Sequence, residues 1–123
     1  MLFRSVSQSR YGVDKAVEYY NEALQIEESL GHKEGMAANY CNLGIVYRMR
    51  DDFDKVVEYY NKALQISKIL GDKEKIAAVY SNLGNVFRAR NDVDKAVEYY
   101  NEALQIEESL GHKEGGEREP VHR

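Results

Sequence analysis

Tryptophan is absent from this chain, proline appears once, at Pro120, and cysteine once, at Cys41. A single cysteine excludes an internal disulfide framework and a thiolate metal cluster, and it suits a reducing compartment. No uninterrupted apolar run exceeds a few residues, so nothing reads as a bilayer span, and the opening MLFRSVSQSR lacks the apolar stretch of a secretory signal. Excess positive charge is lacking too: 17 Lys+Arg stand against 21 Asp+Glu, a net charge of −4 over 123 residues. That balance argues against a nucleic-acid partner, which needs a concentrated basic face. The expectation is a cytoplasmic protein with no membrane and no nucleic-acid partner. Its length suits one domain with a core of its own.

What the chain has in quantity is Ala, Leu, Glu, Lys and ten tyrosines. These are mostly good helix formers, and the near absence of proline leaves helices uninterrupted. Self-similarity organises them. Residues 13–35, VDKAVEYYNEALQIEESLGHKEG, recur at 93–115 with all 23 positions identical, and residues 53–75 match 15 of the 23. Between these blocks lie MAANYCNLGIVYRMR at 36–50 and IAAVYSNLGNVFRAR at 76–90, identical at 9 of 15 positions. The period is therefore 40 residues, alternating two kinds of segment.

Both kinds carry helical periodicity. Val93, Ala96, Val97, Tyr100, Ala103 and Leu104 recur at three- and four-residue steps, as do Ala77, Tyr80, Leu83, Gly84 and Phe87. No useful stretch alternates with period two, so strands are unsupported. Helices are expected at 13–30, 36–50, 53–70, 73–90 and 93–110. Gly31, Gly71 and Gly111 each follow a leucine, where a left-handed C-cap suits glycine. Asp52, Asp72 and Asp92 precede helical runs as N-caps. Gly44 and Gly84 fall inside helices, which points to close approach of a neighbouring helix. Short connections make successive helices antiparallel, and a helix pair repeated in register builds a solenoid. The division is a front segment, 1–10, able to supply a shortened helix with Phe3 and Val6 in its core; repeats over 11–115; and a disordered tail, 116–123.

The pattern resembles the tetratricopeptide repeat: an aromatic, two residues, Leu-Gly, two residues, an aromatic, then a small residue and a further aromatic. It appears as Tyr40, Leu43, Gly44, Tyr47, Val56 and Tyr60, and again as Tyr80, Leu83, Gly84, Phe87, Ala96 and Tyr100. Ala16 and Tyr20 supply the second half alone. The closing proline is missing, with Lys68 and Glu108 in its place, so the second helix of each pair gains about a turn. This lengthened form resembles the 40-residue repeats of Pins/LGN-type adaptors and of prokaryotic repeat proteins. The resemblance implies an all-α, right-handed superhelical solenoid of antiparallel helix pairs, and a function in binding proteins.

Chemistry has little to work with. His32 and His112 occupy equivalent turns two repeats apart, His122 lies in the tail, and adjacent Glu27-Glu28 or Glu107-Glu108 point apart on a helix. No glycine loop suits a phosphate. No catalytic residue, metal site or cofactor is expected. The tyrosine pairs Tyr19-Tyr20, Tyr59-Tyr60 and Tyr99-Tyr100 read as one ring packed between helices and one covering their edge.

In the resembling family the first helix of each pair lines a concave groove for an extended or helical peptide. On a helical wheel the corresponding face carries Ala38, Cys41, Ile45, Arg48 and Met49 in one copy, and Ala78, Ser81, Asn85, Arg88 and Ala89 in the other. Asn42 and Asn82 flank it and match the family's backbone-gripping asparagine; a structural hydrogen bond is the competing role. Arg48 and Arg88, with Arg50 and Arg90 nearby, form a row that favours an acidic segment, or else complement the helix dipole. The lysines that clamp carboxylate tails in some relatives are replaced by Cys41, Ile45, Ser81 and Asn85. The expected partner is thus a protein or peptide seated between 36–50 and 73–90. The alternative is a homo-oligomer: the helix at 93–110 has an outward face of Val93, Val97, Tyr100 and Leu104 that no later apolar segment covers, suited to domain exchange or end-to-end stacking.

Overall fold

The computed structural model describes residues 10–114, with side chains as far as Gly111, and the expectations for Phe3, Val6 and the tail at 116–123 lie outside these. Five helices follow one another: α1 (Arg10–Leu30), α2 (Lys33–Met49), α3 (Phe53–Leu70), α4 (Lys73–Ala89) and α5 (Val93–Glu114). No strand occurs among the described residues. The aspartates cap as expected. Asp52, Asp72 and Asp92 accept hydrogen bonds from the backbone amides of Lys55, Lys75 and Lys95 at 3.3, 3.1 and 3.2 Å. Each bond satisfies an amide that the first helical turn leaves without a partner.

The turns are of two kinds. Gly31 and Gly71 hold φ of 72° and 69°, ending α1 and α3 as the C-cap reading requires. At the ends of α2 and α4 the left-handed residue is Asp51 (φ 59°) or Asn91 (φ 66°), short polar side chains that tolerate this conformation. Two expectations are corrected. The α2 helix begins at Lys33, before the apolar run that marked residue 36. Gly111 does not end α5, which runs on to Glu114, although the same residues turn at Gly31. After Gly31 the chain folds back as α2 and packs on α1, with the His32 amide bonding the Glu27 carbonyl at 3.0 Å, whereas past Gly111 the described residues continue α5.

The described residues divide into two compact units, one ending at Leu70 and the other beginning at Gly71. In the first, α2 packs against both α1 and α3. The α1–α2 pair is antiparallel: Arg50 at the end of α2 pairs with Asp14 at the start of α1 at 2.6 Å, and the Tyr40 hydroxyl donates to Glu28 at 3.2 Å. Val13 and Leu24 of α1 are buried. The α2–α3 pair is closer. A Cβ on Gly44 would stand 2.8 Å from the Tyr60 ring, so the glycine is there because the tyrosine is. Tyr59 covers the edge, stacked on Tyr47 (centroids 5.5 Å, planes 6° apart) and on Tyr40 at 6.0 Å. The Lys62 ammonium lies 5.6 Å from the Tyr40 and Tyr59 rings, a cation–π arrangement. Leu43, Val56, Tyr60 and Ala63 form the core of this pair.

In the second unit α4 and α5 repeat the arrangement. Gly84 faces the Tyr100 ring, where an added Cβ would come within 2.6 Å. Tyr99 stacks on Phe87 at 5.6 Å and lies against Tyr80 at 6.0 Å. Ala77, Leu83, Ala96 and Ala103 are buried. The division of labour within the pairs Tyr59-Tyr60 and Tyr99-Tyr100 is the one the sequence suggested; in α1 it is not seen, Tyr19 being exposed and Tyr20 half-buried.

Candidate functional site

Packing on two sides leaves α2 one open face. Tyr40, Leu43, Gly44, Val46 and Tyr47 are buried toward its neighbours, while Ala38, Cys41 and Asn42 are half-buried and Ile45, Arg48 and Met49 are exposed. The expected groove residues of α2 thus share a surface. Its apolar content is Ile45, 44% exposed, and Met49, 49% exposed. Met49 also lines a hollow with Arg10, Val13, Arg50 and Asp52, at the end of the helix where α1 begins. On α4 the equivalent positions are exposed Ala78, Arg88 and Ala89 and half-buried Ser81, Asn82 and Asn85.

The amides of these faces divide sharply. Neither the Asn42 nor the Asn82 side chain makes a hydrogen bond among the described residues, so the competing structural role is not observed for them. Asn85 is engaged: its carbonyl oxygen accepts from the Tyr100 hydroxyl. A groove role for Asn85 is therefore corrected to one inside the helix pair, where it satisfies a phenol that packing has taken from water.

The first unit lacks this device. Ile45 stands where Asn85 does, and the equivalent Tyr60 hydroxyl, wholly buried, has no hydrogen-bond partner. Burial pushes the Tyr60 phenol above its ordinary range, and Cys41 nearby adds to the shift; the Arg48 guanidinium pulls the other way without offsetting it. Burial likewise raises Tyr40, aided by its hydrogen bond to Glu28. So Cys41 and Arg48 line the surface beneath which Tyr60 lies.

The basic row is shorter than four residues. Arg50 is committed to Asp14. Arg48 and Arg88 sit in the last turns of α2 and α4, where they complement the helix dipole, and neither pairs with a carboxylate among the described residues. Their charge remains available to a ligand. Sequence reasoning had no means of separating Arg48 from Arg50, because the distinction depends on which side of the helix meets Asp14. Among the described residues no group of three His, Cys, Asp or Glu side chains could hold a metal ion. No helix there is long and apolar enough to cross a membrane.

The outer face proposed for α5 is corrected at one position. Tyr100 turns into its own unit, against Gly84 and Asn85, and does not belong to an outward face. Val93, Val97 and Leu104 are exposed. The contrast with α1, identical in sequence from Val13 onward, is large: Val13 is 4% exposed and Val93 60%, Leu24 8% and Leu104 51%.

The family model for the tetratricopeptide repeat matches residues 12–69 and, overlapping them, 57–109. No curated protein sequence matches the chain.

Proposed function

Because the chain belongs to the tetratricopeptide repeat family, whose members are in general protein–protein interaction modules, we propose that it captures a segment of another protein on the open face of α2, the corresponding face of α4 offering an equivalent surface within its own unit. The segment is extended or helical, and acidic. On α2, Asn42 grips its backbone, Ile45 offers apolar area, and Arg48 selects its charge through charge-assisted hydrogen bonds; on α4, Asn82 and Arg88 are the equivalents. The observation that carries this reading is the pair of half-buried asparagines whose side chains make no hydrogen bond among the described residues. An asparagine within a helix is unfavourable by several tenths of a kcal/mol against alanine, and here no internal bond repays it. The protein performs no catalysis in this reading and needs no cofactor.

The test is an array of Glu/Asp-rich and Lys-rich peptides probed with the wild-type chain and with the Arg48→Glu, Arg88→Glu double variant. Wild type retains acidic peptides, more weakly at high salt, and the double variant loses them by roughly tenfold or more, as removal of a charge-assisted contact in each unit requires. Equal retention by both proteins dismisses the arginine role.

A second reading is favoured by the exposure of Val93, Val97 and Leu104: the chain associates with itself through the outer face of α5. Three large apolar side chains along one stripe are more than a lone surface residue, and they suit an interface.

A further inference from the structure

Resting on that second reading, we propose a specific seat for α5: the surface of α2 in another copy of this chain, from which it displaces that copy's own α1. The fold displays the complex already, because α1 carries the sequence of α5. Residues 13–35 and 93–115 are identical, and in α1 this sequence is docked on α2 with Val13 and Leu24 buried. The polar contacts of that interface also have their counterparts. Asp14 holds Arg50 and Glu28 holds the Tyr40 hydroxyl. On α5 the same positions are Asp94 and Glu108, neither of which has a hydrogen bond or ion pair among the described residues. The residues from Val13 onward by which α1 is docked on α2 are thus presented a second time on α5, with Val93 and Leu104 exposed.

The two faces of α5 do not compete. Its contact with α4 uses Ala96, Tyr100 and Ala103, a stripe distinct from Val93, Val97 and Leu104. In α1 the counterparts Ala16, Tyr20 and Ala23 remain half-buried, so α1 is held by one face while α5 would be held by two. A helix anchored to α4 and seated on a second α2 offers it the contacts made by α1 from Val13 onward, whereas buried Gly12 of α1 has Asp92 as its counterpart. Association is heterologous, from the α5 end of one copy to the α2 face of the next, and therefore propagates into chains of molecules rather than closing as a symmetric dimer.

Identical sequence in opposing roles gives an unusual test. A charge placed on α5 removes the incoming helix; the same charge at the matching position of α1 removes its competitor. Sedimentation velocity of the 123-residue chain, from low micromolar to submillimolar concentration, is compared with Leu104→Asp and Leu24→Asp. Wild type forms dimers and longer species as concentration rises. Leu104→Asp is monomeric throughout, and Leu24→Asp associates at a concentration lower by roughly tenfold, because α2 is freed of a competing occupant. A wild-type chain monomeric throughout overturns both this proposal and self-association itself. Association lost in Leu104→Asp but not strengthened in Leu24→Asp leaves self-association standing and overturns the α2 seat, pointing to an α5–α5 contact or another site. Should Leu24→Asp prove unfolded by circular dichroism, Asp94→Lys and Arg50→Glu decide the matter. Asp94→Lys alone associates less than wild type; Arg50→Glu alone weakens the resident α1 and the incoming α5 alike, through Asp14 and Asp94, and shifts association little; an equal mixture associates more than either, because the two substitutions together restore the ion pair with its charges exchanged. A mixture no better than its components overturns the seat.

Discussion

Tyr60 and Tyr100 occupy equivalent places, each packed on a helix glycine, yet only one has its hydroxyl satisfied. An unpaired buried hydroxyl costs about 1–3 kcal/mol. Tyr60→Phe is accordingly expected to leave stability unchanged or raise it by about 1 kcal/mol in thermal melts, whereas Tyr100→Phe, which strands Asn85, lowers it by a similar amount. Ile45→Asn copies the Asn85 device into the first unit and raises stability relative to Ile45→Ser, which cannot reach the phenol in the same way. The raised titration of Tyr60 and Tyr40 has a definite sign. Their folded-state values lie above the unfolded value of about 10, so their contribution is intact below that pH and is lost as pH climbs through the folded values. Melting temperature should therefore drop on alkaline titration above about pH 10, and less so in Tyr60→Phe. Gly44→Ala and Gly84→Ala drive a methyl into a tyrosine ring; each is expected to cost about 1–3 kcal/mol despite alanine's better helix propensity, read by denaturant midpoint.

Helix boundaries obey two kinds of cause. The N-caps are local: an aspartate bonding an amide three residues on needs nothing beyond its own segment, and Asp52, Asp72 and Asp92 were recognisable for that reason. Replacing Asp72 by Ala should remove about 1 kcal/mol, while Asp72→Asn largely preserves stability, both measurable by urea titration. C-termini are less local. The residues at Gly31 turn while the same residues at Gly111 continue, so the glycine permits a turn without dictating it. The turns at Asp51 and Asn91 escaped prediction because no glycine advertised them; only a polar residue tolerant of positive φ stood there. Packing surfaces divide likewise. The Leu-Gly motif and the tyrosine four residues from its small partner announced the α2–α3 and α4–α5 contacts, since a helix-interior glycine has few uses other than close approach.

At the scale of the molecule, one 23-residue sequence lives in two environments, and that is the protein's most informative feature. Chain periodicity was enough to establish an all-α repeat of antiparallel helix pairs, because apolar spacing, caps and breakers act within a segment and repeat with it. It was enough, too, to bring the candidate face of α2 together, since residues three and four apart share a side by helical geometry alone. Which groups on that face are free could not be read in one dimension. Arg48 and Arg50, or Asn82 and Asn85, are alike as residue types; Asp14 claims Arg50 and Tyr100 claims Asn85 through contacts between helices. The exposure of Val93 beside the burial of Val13 makes the same point in its purest form. Composition and spacing specify what a helix is able to bury, while the neighbour that arrives, or fails to, decides what it does bury.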